Sequence, residues 1–234
     1  MCRFANKHTF GFENMFIGLY FSFAGTAILA ELFSYRSILF AFKPVTLIVL
    51  MCLYWITSKE RSFIFFITIL FSLVSSILME IDPKKLLLYG VISFVIHRII
   101  LIFYVIKMNR IKDFVPILIA CFPFIFVFSY LTSISVEIPE GSYYYLVVQN
   151  ILVSIIGGIV LSSYFMNEKK ESPWLYIFGV LSMGLYFIVF IEKWFLASLT
   201  ATYFRPLGMI LYVMSYYSFY KLVVDSERLA DEFN

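Results

Sequence analysis

The chain has 234 residues, of which 62% are hydrophobic, 21% aromatic and only 14% charged. A soluble domain is nearer half apolar and a quarter charged, and disordered chains are poorer still in apolar residues; a mean hydropathy of +0.92 therefore excludes both classes. The net charge of +3 is spread over the breaks between apolar runs, so a nucleic-acid partner is excluded as well. With 28 Phe and 17 Tyr the chain reads as a polytopic membrane protein. At about 20 residues per span it has room for roughly eight helices and no extramembrane domain.

The first residues, Met1 to Asn14, are polar and lack an apolar core followed by a cleavage site. No cleaved signal peptide is expected, and the first helix serves as the insertion signal. Apolar runs then predict spans at 16–30, 38–57, 63–79, 86–106, 114–133, 144–166, 174–191 and 207–224, within a single integral membrane domain over 1–234. The expected class is an all-α bundle of eight transmembrane helices. Strands of a membrane barrel are about ten residues long and alternate in polarity; these runs are longer and continuous. Short breaks make consecutive helices antiparallel neighbours. Of the 18 Lys and Arg, eleven fall on the side holding both termini, five on the other, and Lys43 and Arg98 lie inside spans. The bias predicts that both termini are cytoplasmic.

Cys2, Cys52 and Cys121 show no paired or metal-ligand spacing and read as packing residues. A faint echo links Phe42-Lys43-Pro44, read as opening the second helix, with Phe204-Arg205-Pro206, read as opening the eighth.

The informative residues are ionisable groups in apolar spans, which cost about 2.5–3.5 kcal/mol each even on the lenient insertion scale. They are Glu31, Lys43, Glu80, the pair His97-Arg98, and Glu192-Lys193. The first, third and seventh spans run in one direction, so Glu31, Glu80 and Glu192 converge on one leaflet. Lys43 enters the same leaflet from the second span, roughly two turns down. Each has a plainer reading. Glu31, Glu80 and Glu192-Lys193 suit helix ends among headgroups, and His97 suits an interior hydrogen-bonder. Arg98 is deeper and needs a partner or a wet cavity. No second His lies in the spans, so no metal site is expected. Gln149-Asn150 and Gly157-Gly158 read first as helix–helix contacts and second as pocket lining, and the Tyr pairs 143–144 and 216–217 fit an interfacial belt as readily as a site.

At these residues the sequence resembles the YhhN family of lysoplasmalogenase-like, eight-span membrane hydrolases. Phe42-Lys43-Pro44-Val45-Thr46 is similar to the family's Lys-Pro-Leu-Thr in the second span. Ser76-Ile77-Leu78-Met79-Glu80 falls where the family has Ser-x-x-Gly-Asp, and Phe94-Val95-Ile96-His97 where the fourth span carries Phe-x-x-x-His or a close variant. The stretch from Gly184 to Glu192 resembles Gly-x-x-x-Phe-x-x-Ser-Asp, and Met214-Ser215-Tyr216-Tyr217 the final Thr-Tyr-Tyr. A competing register aligns the fourth pattern to Leu181-Ser182-Met183 and loses its acid; the Glu192 register keeps the distance to Tyr216-Tyr217. Both family aspartates are glutamates here, and Met79 and Ile191 replace the preceding Gly and Ser. Moving a reacting carboxylate by one methylene can cost around a hundredfold in rate.

The resemblance implies hydrolysis of the vinyl ether of a lysoplasmalogen to a fatty aldehyde and a glycerophospho-headgroup. Glu80 and Glu192 would be the catalytic pair, with no metal or organic cofactor. Lys43, His97, Arg98 and Tyr216 would bind substrate or support the pair. The implied partners are a lysophospholipid or other single-chain lipid and the bilayer; the sequence leaves a homodimer open. The competing readings are a non-catalytic lipid-binding relative and a small proton-coupled transporter. Broken helices in corresponding places, which the latter calls for, are not found. Richness in Phe, Ile and Lys points to an AT-rich bacterial genome and so to a bacterial inner membrane.

Overall fold

In the computed structural model the described residues are 2–81, 85–109, 113–135, 140–166, 172–195 and 203–232; the side chains of 2–10, 80, 87, 140–142 and 231–232 lie outside the description. The described residues form eight α-helices: α1 (Cys2–Leu32), α2 (Arg36–Thr57), α3 (Phe63–Ile81), α4 (Leu87–Met108), α5 (Val115–Ile134), α6 (Glu140–Met166), α7 (Trp174–Trp194) and α8 (Phe204–Glu232). Seven are long and apolar enough to cross a membrane; in α3 the apolar stretch, Phe63–Met79, is shorter. The chain is thus an all-helical bundle of the integral membrane class.

Two helices exceed the apolar runs that mark them. α1 begins at Cys2 and α8 continues to Glu232, because a helix needs no apolar surface once it has left the hydrocarbon. A third difference corrects the sequence reading. α2 starts at Arg36, so Pro44 lies inside the helix, more than two turns from its start. Pro206 stands near the beginning of α8, and the echo between the two segments is not one of position.

Sequential hairpins α1–α2, α3–α4, α5–α6 and α7–α8 make the closest packing, and α8 also meets α1 and α2. Small residues and hydroxyls explain the close approaches, since apolar burial alone drives little association in lipid. A Cβ on Gly158 would stand 2.3 Å from the Cys121 sulfur and 2.9 Å from the Ile117 carbonyl oxygen, so α5 and α6 meet only because that position is glycine. Between α3 and α4, Ser75 donates to the Gly90 carbonyl (2.8 Å) and Ser93 to the Phe71 carbonyl (3.0 Å).

The core centres on α8, whose Phe219, Tyr220, Leu222 and Val223 are wholly buried. Phe219 stacks on Phe65 of α3 with centroids 5.6 Å apart. At the far end of α8, Glu227 accepts hydrogen bonds from Tyr54 (2.5 Å) and Ser58 (2.7 Å), clasping the end of α2. The outer face is apolar: Leu118, Ile119, Phe122 and Phe126 of α5 all stand exposed, as lipid-facing side chains do.

Candidate functional site

Even-numbered helices begin, and odd-numbered helices end, at one end of the bundle. The α1–α2 turn tightens that end. Ser34 adopts a left-handed conformation (φ 59°), and the Tyr35 amide reaches back to the Ala30 carbonyl (2.8 Å). The turn thereby sets Glu31 and Arg36 on one rim.

Beneath it lies a polar chamber of about 400 Å³, lined by Glu31, Ser34, Arg36, Lys43, Glu192 and Arg205. Arg205 Nε donates to Glu192 Oε1 at 2.9 Å, with the two side chains 53% and 25% exposed. The Lys43 ammonium lies 5.7 Å from the centroid of the Tyr212 ring. The convergence expected from alternating helix direction is therefore present for Glu31, Lys43 and Glu192. The Glu80 side chain lies outside the described residues.

Beside it is an apolar chamber of about 430 Å³ between α4, α6 and α7. Its walls include Leu88, Val91, Phe94, Leu146, Tyr186 and Phe190, and Lys85, Lys193 and Trp194 stand toward the bundle end. Arg98 lines its floor. Eleven residues from the start of α4, it sits about 16 Å down a helix of about 33 Å. The guanidinium lies 4.9 Å from the Phe94 centroid and 5.4 Å from that of Tyr186. Aromatic faces attract a cation but give its N–H groups no lone pair to bond. Among the described residues, Arg98 Nε and both amide atoms of Gln149 are buried without a hydrogen-bond partner. The Tyr186 wall is fixed by a relay in which its hydroxyl donates to Asn150 Oδ1 (2.6 Å) and Asn150 Nδ2 donates to Thr132 (2.9 Å).

A third cavity, about 50 Å³, lies deeper and is lined by His97, Arg98, Ser182, Ser215 and Tyr216. It can hold a water molecule by volume. His97 Nδ1 bonds the Thr68 carbonyl (2.8 Å), an acceptor only, so this nitrogen carries the proton. Its Nε2 faces the Tyr216 hydroxyl at 3.4 Å, and that hydroxyl also bonds Ser72. His97 thus ties α4 to α3 and α8. Among the described residues no group of three His, Cys, Asp or Glu is placed to hold a metal.

Leu185 and Tyr212 line all three cavities and divide them. Lys43 and Glu192 stand on one side of that wall, and His97, Arg98 and Tyr216 on the other. Sequence reasoning missed Arg205 as the partner of Glu192, and it missed the dividing role of Tyr212. Gln149 takes the second of its two sequence readings, cavity lining rather than helix contact, and an amide in an apolar run is a signal of the same kind as Arg98. Neither a family model, nor a curated protein, nor a solved structure matches the chain. The class defined by fold and cavities is an integral membrane helical bundle with a charged chamber set against an apolar one.

Proposed function

We propose that the chain is a membrane-embedded lipid hydrolase of the lysoplasmalogenase kind, crossing a bacterial inner membrane eight times with both termini cytoplasmic. The observation that carries this reading is the pairing of the two chambers. A charged compartment holding Glu192 and Lys43 shares a wall with an apolar one, which suits an amphiphile whose reactive bond lies between head and chain.

The chemistry needs two carboxyl groups. A proton delivered to the β-carbon of the vinyl ether leaves an oxocarbenium ion at the α-carbon. Water adds there and releases a proton, and the hemiacetal collapses to a fatty aldehyde and a glycerophospho alcohol. Glycosidases divide the same labour between an acid and an anion. Glu192, ion-paired with Arg205, takes the anion's part: it stabilises the cation and accepts the proton from water. Glu80 is then the proton donor. Lys43 stands within the chamber for the phosphate, while His97, Arg98 and Tyr216 support the wall behind it.

The test is aldehyde release from alkenyl lysophospholipid by purified protein in detergent, beside a Glu80→Gln/Glu192→Gln variant. The expected result is release by the parent and a loss of at least about a hundredfold in the variant, the usual scale for removing acid–base groups. Equal release by both sinks the assignment of the two glutamates. The Arg205 contact favours one other reading, a non-catalytic lipid-binding protein whose Glu192 is a structural ion pair. Lipid that co-purifies intact, with no turnover, is its signature.

A further inference from the structure

We propose that Arg98 and Gln149 form a buried anion site, which takes the oxyanion head of a single-chain amphiphile lying in the apolar chamber. The inference goes beyond the hydrolase reading: it concerns the floor of the apolar chamber, which that reading uses only for a lipid chain, and it needs no turnover at Glu192.

Three observations carry it. First, Arg98 is only 5% exposed, near mid-depth in the bundle, and no carboxylate among the described residues pairs with it. Its aromatic neighbours hold the guanidinium plane and leave Nε–H without an acceptor. Arginine presents a planar fork of donors that matches carboxylate and phosphate oxygens. Second, Gln149 is 7% exposed and lines the same chamber, and neither atom of its amide has a partner among the described residues. Its NH₂ adds donors for the same oxyanion, while its carbonyl oxygen requires a donor from the ligand. A head that carries a hydroxyl beside its phosphate meets both demands. Third, the rest of the lining is chiefly apolar, and the volume of about 430 Å³ lies in the range of small-molecule sites. A free anion would leave those walls empty; an alkyl chain fills them. Lys85 and Lys193 at the outer end add positive charge along the route to the floor.

Trp194 lines the chamber and is one of three Trp in the chain, which gives a local reporter. A Trp55→Phe/Trp174→Phe protein, purified as the full chain in neutral detergent, leaves Trp194 as the sole Trp fluorophore. The probe is bromododecanoyl glycerophosphate, whose bromine quenches indole on contact; bromododecanoyl glycerol is the uncharged control. Saturable quenching by the phosphate lipid is expected, with affinity at least tenfold above that for the uncharged lipid. Arg98→Gln should weaken it at least tenfold, and Gln149→Leu should weaken it severalfold while removing no charge. Inorganic phosphate at millimolar concentration separates the sources. Displacement means that the head alone is enough to occupy the site, and no displacement means that the chain is required; either supports the anion site. Equal affinity for charged and uncharged lipid overturns it, and so does an unchanged affinity in a folded Arg98→Gln protein. If Arg98→Gln does not fold, Gln149→Leu and the uncharged control decide. The binding signal is read without turnover, so its failure is distinguishable from absence of aldehyde release.

Discussion

The two chambers handle charge in opposite ways. In the polar chamber cations and carboxylates stand together, and Arg205, 53% exposed, meets Glu192, 25% exposed, at 2.9 Å. In the apolar chamber a guanidinium lies buried with aromatic faces around it, and the lining amide of Gln149 has no partner among the described residues. An exposed pair contributes little to stability, whereas an unpaired buried cation is costly. A fold that tolerates such a cation is using the group for something other than holding itself together. That contrast can be broken or sharpened by substitution.

The largest effect is expected where the chambers meet. Tyr212→Ala removes the ring that lines all three cavities. It should lower stability by about 3–5 kcal/mol, the cost of truncating a packed aromatic, read as thermal unfolding in detergent. A neutral outcome would mean that the wall is not packed.

Arg98→Met is expected to act in the other direction. Replacing buried ion pairs with apolar side chains of similar volume is often neutral or stabilising by about 1–4 kcal/mol, and an unpaired buried cation has no Coulombic partner to lose. A rise in the unfolding midpoint of the ligand-free protein, with loss of lipid quenching, would mark stability given up for binding. A large fall would show that Arg98 is structural. Tyr186→Phe comes next. It leaves Asn150 Oδ1 without its donor, at roughly 1–3 kcal/mol for a buried unpaired acceptor, and frees one wall of the Arg98 cage. Denaturation combined with the quenching titration separates the two consequences. The smallest effect is reserved for Arg205→Ala, below about 1 kcal/mol and smaller still in high salt. A larger loss, insensitive to salt, would mean that the Glu192 pair is shielded from solvent.

The sequence made the bundle legible because a soluble fold seldom carries successive apolar runs long enough to span a bilayer. It also made the convergence of Glu31, Lys43 and Glu192 legible, since alternating helix direction is enough to place them at one end. It did not reveal how far α1 and α8 extend beyond their apolar cores, or that Pro44 sits within α2 rather than at its start. Those depend on capping and packing rather than hydropathy. Nor did it separate the polar residues into two chambers. That division rests on Leu185 and Tyr212, ordinary residues in apolar helices whose role comes from the pairing of α7 with α8. Asn150 fits the helix-contact reading through its bond to Thr132, while its neighbour Gln149 turns to the cavity. One residue of difference is about 100° around a helix, enough to separate a fastening from a lining.

The position of α8 has a consequence for how the protein is made. Among the described residues seven helices precede it, and it packs against α1, α2 and α7 while its Phe219 stacks on Phe65 of α3. Until it arrives, Tyr20 of α1 has no Val213 carbonyl to bond, and Tyr54 of α2 no Glu227. Earlier hairpins can insert in order, but their inner faces stay unfinished while the ribosome is still at work. Helix α8 is the keystone of the assembly, and a nascent chain stalled before Phe204 would present quality-control proteases with a bundle that lacks its centre.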